Sequence, residues 1–133
     1  FAEDERKLLQ KSLDLLEIMG LRKVASEKAN SLPYGKQRKL EIARALALNP
    51  SLLLLDEPVA GMNPAETIEF GELLGRLHED MALTICLIEH DMRFVMDVCH
   101  KIRVIDHGMP IAWGTPEEIQ QDASVIKAYL GGG

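Results

Sequence analysis

The sequence predicts an α/β fold, a sheet covered by helices, and three observations carry that reading. Leu52–Leu55 and Leu83–Ile88 are short apolar runs of strand length with no charged residue inside them. Stretches with helical apolar periodicity lie before, between and after these runs. Asn49-Pro50, Asn63-Pro64 and Thr115-Pro116 punctuate the joins with turn and capping chemistry. Strand, helix, strand, helix, strand is the order expected when helices cover a sheet.

Taken in order, Glu3 to Met19 reads as a helix, with Leu8, Leu9, Ser12, Leu15, Leu16 and Met19 near one stripe and Gly20 as its stop. Residues 21–32 are polar and irregular. A second helix is expected from about Gly35 to Leu48, burying Leu40, Ala43, Leu46 and Ala47 and ending at Asn49-Pro50. The four leucines Leu52 to Leu55 suggest a strand buried on both faces, as inside a parallel sheet. Pro58 closes it. Asn63 then suits an N-cap, with Pro64 at the first helical position and Glu66 at the third. The helix that follows is expected to turn Ile68, Leu73, Leu74 and Leu77 towards a core. Leu83 to Ile88 forms the next strand and Asp91 to Val98 a short helix. Lys101–Asp106 and Met109–Trp113 make a hairpin around His107-Gly108, and Thr115 to Glu118 repeats the capping box before a C-terminal helical tail.

Composition narrows the function classes. With 133 residues, 47% of them hydrophobic, the chain can bury one core and is short for two comfortable domains. A net charge of −6 argues against a nucleic-acid binder built on a broad basic face. No apolar run approaches the roughly 20 residues that cross a bilayer as a helix. The first residues are charged and carry no hydrophobic signal segment. Cys86 and Cys99 show no metal-ligand spacing, and a reducing cytosol is the simple reading.

Three places carry chemistry. A buried strand that delivers Asp56 and Glu57 at its C-terminal end puts two acids where open α/β sheets bind ligands. Asp56 could hold Mg²⁺ there, and Glu57 could orient or deprotonate an attacking water, although strand ends are often polar for solvation alone. Leu32-Pro33-Tyr34-Gly35-Lys36 precedes the second helix, and a glycine beside free helix N–H groups suits an anion. An ordinary turn would look the same, and Lys36, Arg38 and Lys39 can be read as solvated basic residues. His90 ends the second strand, where it could contact a phosphate or a water, or be purely structural.

The order of these pieces resembles the ABC ATPase family across nearly the whole chain. Leu32, Pro33, Tyr34, Gly35 and Lys36 fall on its signature motif, and Leu52 to Glu57 on its Walker B strand with the catalytic glutamate. Ala60 to Pro64, with Asn63, matches the D-loop, and His90 the switch histidine. Leu-Pro-Tyr-Gly, then Gln37 to Leu46, Ile88 to Met92 and Val125 to Gly131 look like importers of branched-chain amino acids. The resemblance implies the C-terminal part of a P-loop NTPase domain. Residues 1–48 would be helical subdomain and signature helix, 49–113 the Walker B, D-loop and histidine core, and 114–133 a helical tail. It also implies ATP and Mg²⁺ as cofactors, a second nucleotide-binding domain and transmembrane permease subunits as partners, and a peripheral place on the cytoplasmic face of the membrane. Asp56 would hold the metal and Glu57 and His90 would serve hydrolysis. Residues 32–36 and Asn63 would work across the domain pair. A non-transport ABC ATPase and a non-enzymatic interaction fragment are the alternatives.

Departures from the pattern matter as well. The signature is usually Leu-Ser-Gly-Gly-Gln, and Pro33 here has neither a hydroxyl nor a backbone N–H. Asn63 stands where most members of the family carry Asp. No Gly-x-x-x-x-Gly-Lys-Ser/Thr occurs, so the phosphate-gripping half of such a domain is expected to be missing. An exposed sheet edge and an inactive isolated chain are the corresponding expectations.

Overall fold

The computed structural model describes residues 1–130, and its first element is a helix, α1, over Ala2–Ile18. Glu3, Asp4 and Glu5 occupy the first turn, where negative charge meets the positive end of the helix dipole. Gly20 stops the helix at φ +71°, a conformation that costs glycine nothing. The Leu21 amide bonds the Leu16 carbonyl at 2.7 Å and the Gly20 amide that of Glu17 at 3.0 Å, closing the last turn. Leu21 is buried behind it. The expected stripe holds at Leu15 and Met19 but not at Leu8 and Leu9, which are exposed. α1 packs against the 3₁₀ turn Arg22–Val24 and the helix α2 over Tyr34–Leu46, and these leave the two leucines uncovered.

Residues 21–32 contain a second 3₁₀ turn, Ala29–Ser31. α2 buries Ile42, Ala43 and Leu46. Ala47, expected in the core, is exposed because the helix ends at Leu46 and its next residue leaves the buried stripe.

Strand β1, Leu52–Asp56, pairs in parallel with β2, Thr84–Ile88, in a register that sets Leu52 opposite Thr84 and Asp56 opposite Ile88. The crossover between them is α3, Pro64–Asp80. Asn63 caps α3 as expected: its Oδ1 accepts the Glu66 amide at 2.8 Å, and its Nδ2 donates to Glu66 Oε1 at 2.8 Å. Phe70, Leu73, Leu74 and Leu77 form its buried stripe. Ile68 was expected there and is exposed, since two residues before Phe70 is about 200° around a helix. The two-sided burial expected for β1 also needs correction. Leu53 is 5% exposed while Leu54 is 69% exposed, so alternation puts Leu52 and Leu54 on an uncovered face.

Backbone contacts divide the chain into two compact units, Phe1–Ile88 and the chain from Glu89 onward. In the second unit, α4 spans Met92–Val98, starts from the Asp91 carboxylate, which accepts the Phe94 amide at 3.0 Å, and buries Phe94 and Val95. β3, Ile102–Asp106, and β4, Met109–Gly114, form the expected antiparallel hairpin, with a bulge at Val104/Ile105. Its turn, His107 and Gly108, has both residues at positive φ, matching the twist of the strands it joins. α5, Pro116–Gln121, begins at Thr115, whose Oγ1 accepts the Glu118 amide. Asp122 starts a further turn, α6, Ala123–Val125, and a π-helical turn follows over Ile126–Leu130. The Ser124 hydroxyl and then the Val125 amide hold the Asp122 carboxyl below the usual carboxylate range. The end of the expected tail, Gly131 to Gly133, lies outside the described residues. Among the described residues no helix is long and apolar enough to cross a membrane.

Candidate functional site

Asp56 ends β1 with its side chain exposed, and Glu57 is the first residue past the strand. Glu57 has φ +46°, in the left-handed region, where a residue with a Cβ costs roughly 1–2 kcal/mol. Hydrogen bonds hold it there. Its amide donates to the Ile88 carbonyl at 2.8 Å, and its carbonyl accepts from the Ala60 amide at 3.2 Å and from Arg38 Nη2 at 3.5 Å. Pro58 and Val59 are buried directly behind the acidic pair. The turn thus delivers an exposed carboxylate from a braced backbone.

The segment before α2 is built differently. Leu32 is buried and accepts at its carbonyl from Gln37 Nε2 at 2.8 Å. Pro33 occupies the N-cap position and supplies no side-chain cap to the helix. Tyr34 is half exposed and Lys36 exposed. A Cβ built on Gly35 would lie 3.8 Å from Glu66 Oε2, and one on Gly61 3.4 Å from Tyr34 Cε1. The start of α2 therefore rests on the loop at Gly61 and the first turn of α3. Within the first unit the fold brings residues 34 and 35, the Asn63–Glu66 cap and the Asp56–Glu57 strand end into one neighbourhood. His90 belongs to the second unit, one residue before the Asp91 cap, and is exposed.

Arg38 is the residue that sequence reasoning passed over as solvated. Its side chain is 27% exposed, its Nη1 lies 3.3 Å from Glu41 Oε2, and its guanidinium sits 5.5 Å from the Tyr34 ring centre. Its spacing of four residues from Tyr34 and three from Glu41 was a usable signal, because such pairs share a helix face. Lys39 is likewise engaged, 3.7 Å from Glu69 Oε1.

A family profile described as "ABC transporter" matches residues 2–60. A second, described as "Branched-chain amino acid ATP-binding cassette transporter", matches residues 110–133. Both ends of the chain are thus similar to ABC transporter ATPases. It is 47% identical over 131 residues to the high-affinity branched-chain amino acid transport ATP-binding protein LivG of Salmonella typhimurium, covering 98% of this chain and 51% of that protein. It is 45% identical over 131 residues to BraF of Pseudomonas aeruginosa, of the same description and coverage. The chain thus spans about half the length of the curated relatives it matches. The structure of the ADP conformation of an ABC-transporter ATP-binding cassette superposes with a TM-score of 0.84 at 28% identity, over 94% of this chain and 50% of that one. That of cbiO1 from Clostridium perfringens, part of the ABC transporter complex cbiONQ, gives 0.83 at 28% identity, over 92% and 49%. The fold is that of part of an ABC ATPase cassette.

Proposed function

We propose that this chain provides the Walker B, D-loop, signature and histidine elements of an ATPase subunit that powers import of branched-chain or other hydrophobic amino acids. The observation that carries the reading is the acidic strand end Asp56–Glu57 braced against the glycine-bearing start of α2. Similarity to LivG and BraF favours the substrate class.

Asp56 suits Mg²⁺: it is an exposed hard-oxygen donor at the end of a parallel strand, and Mg²⁺ commonly takes one or two carboxylates beside phosphate oxygens. When bound, the ion neutralises charge that builds on the transferred phosphoryl oxygens. Glu57 orients the attacking water or takes its proton, and His90 contacts the terminal phosphate. Leu32, Pro33, Tyr34, Gly35 and Lys36 face nucleotide held by a second nucleotide-binding domain. There the amides opening α2 and the lack of a side chain at Gly35 favour close approach of an anion. Asn63 bonds across the same interface. The working assembly contains two such domains and transmembrane permease subunits, lies on the cytoplasmic face of the membrane, and involves no nucleic acid.

The chain alone neither grips ATP tightly nor hydrolyses it. It lacks the glycine-rich loop and lysine that supply most of the phosphate contacts, so Asp56 and Glu57 would meet a polyanion with little opposing charge. Calorimetric titration of the purified chain with Mg-ATP tests this, with no saturable heat expected up to millimolar nucleotide. Micromolar binding would overturn the account of the grip. In a cassette that also contains the phosphate-gripping half, Glu57→Gln is expected to lower kcat by about 10²–10⁴-fold, the usual weight of a general base. Unchanged turnover would remove Glu57 from the mechanism.

A further inference from the structure

We propose that Arg38 is a positioning residue that fixes the backbone of Glu57 and ties it to the start of the signature helix. The inference rests on the reading of Glu57 given above. Glu57 sits at φ +46°, a conformation that glutamate leaves readily unless its peptide groups are held. The Glu57 amide donates to Ile88 on the paired strand, and its carbonyl accepts from Ala60 in the same turn. The bond from Arg38 Nη2 to the Glu57 carbonyl comes from α2, 19 residues earlier in the chain.

Arg38 is itself held in place. Tyr34, one turn before it, lies 5.5 Å below the guanidinium, and Glu41, nearly one turn after, pairs with Nη1 at 3.3 Å. Its Nε is buried without a hydrogen-bond partner, so this orientation does not maximise the bonds of the arginine. What the orientation does achieve is contact with the Glu57 carbonyl. Tyr34 in turn rests against Gly61, where a Cβ would lie 3.4 Å from the ring. Gly61, Tyr34, Arg38 and Glu57 therefore form one physical chain from the D-loop, through the signature, to the backbone that carries the carboxylate. Displacement of Tyr34 by nucleotide would be felt at Glu57 through a single guanidinium. A lysine could reach the carbonyl but could not also lie flat on Tyr34 and pair with Glu41 in the same fork.

The test compares Arg38→Met, Arg38→Lys and Glu57→Gln in a cassette containing both halves, with amide exchange on the present chain as an activity-free readout. Arg38→Met is expected to lower kcat about tenfold with KM for ATP nearly unchanged, the pattern of an interaction that matters in the transition state. Arg38→Lys should recover part of that loss. Exchange at the Ala60 amide should quicken in Arg38→Met, since the carbonyl it bonds is released. Unchanged kcat in Arg38→Met, while Glu57→Gln is inert, would overturn the positioning role alone. A rise in KM at constant kcat would overturn it as well. Full turnover in Glu57→Gln would instead overturn the reading of Glu57 on which the inference rests. Should Arg38→Met fail to fold, Arg38→Lys decides: unchanged kcat and unchanged Ala60 exchange would refute the proposal.

Discussion

Glu57 presents its carboxylate from a backbone conformation that glutamate disfavours, and the cost can be measured in the chain itself. At φ +46° a residue with a Cβ is worse off than glycine by about 1–2 kcal/mol. Glycine loses roughly 0.5–1 kcal/mol of this advantage through its greater freedom in the unfolded state. The side chain is exposed, so shortening it removes little packing. Glu57→Gly is therefore expected to be more stable than Glu57→Ala by about 0.5–1 kcal/mol. For a chain of this size that corresponds to a difference of roughly 2–4 °C in Tm. Glu57→Asn should fall between them, because asparagine tolerates the left-handed region. Urea unfolding of the three variants, fitted with a common slope, gives the comparison directly. An alanine variant as stable as the glycine variant, or more so, would refute the idea that residue 57 is strained. The wild-type carboxylate would then be held by an ordinary turn.

Three further outcomes are expected. Leu53→Ala should destabilise the chain by about 2–5 kcal/mol, whereas Leu54→Lys should change stability by less than about 0.5 kcal/mol and reduce any self-association through the exposed strand face; sedimentation and denaturant melts check both. Asn63→Asp keeps the helix cap but replaces the bond from Nδ2 to Glu66 with two facing carboxylates, so it should cost about 1 kcal/mol, and Glu66→Gln should restore it in a double-mutant cycle. The Asp122 carboxyl titrates below its unfolded value, so its stabilising effect is complete above about pH 3.9 and is lost as pH falls through the lower folded value. Asp122→Asn should flatten that acid-side loss, as followed by helix signal between pH 5 and 2.

Much of the architecture was legible in local chemistry. Gly20, Asn63-Pro64, Thr115-Pro116 and His107-Gly108 mark element boundaries through φ preference and side-chain capping, which depend on neighbours a few residues away. Burial was less legible. Four consecutive leucines look the same whether one face or both are covered, and only the packed structure shows Leu54 exposed beside a buried Leu53. Ile68 and Ala47 were misplaced for a related reason: a stripe has a phase and an end, and both depend on what the helix packs against.

The candidate site divides in the same way. Sequence by itself determined which residue types stand where: two acids at a strand end, a glycine at a helix start, an asparagine cap and a histidine after the second strand. These are short-range patterns of side-chain chemistry, and their order was enough to indicate the family. Tertiary structure alone decided that Glu57 takes a left-handed backbone, that Tyr34 lies on Gly61, and that Arg38 reaches the Glu57 carbonyl from another helix. Contacts between residues 19 or 27 positions apart follow from how the elements pack, because no local preference encodes a distance between segments that the chain merely connects.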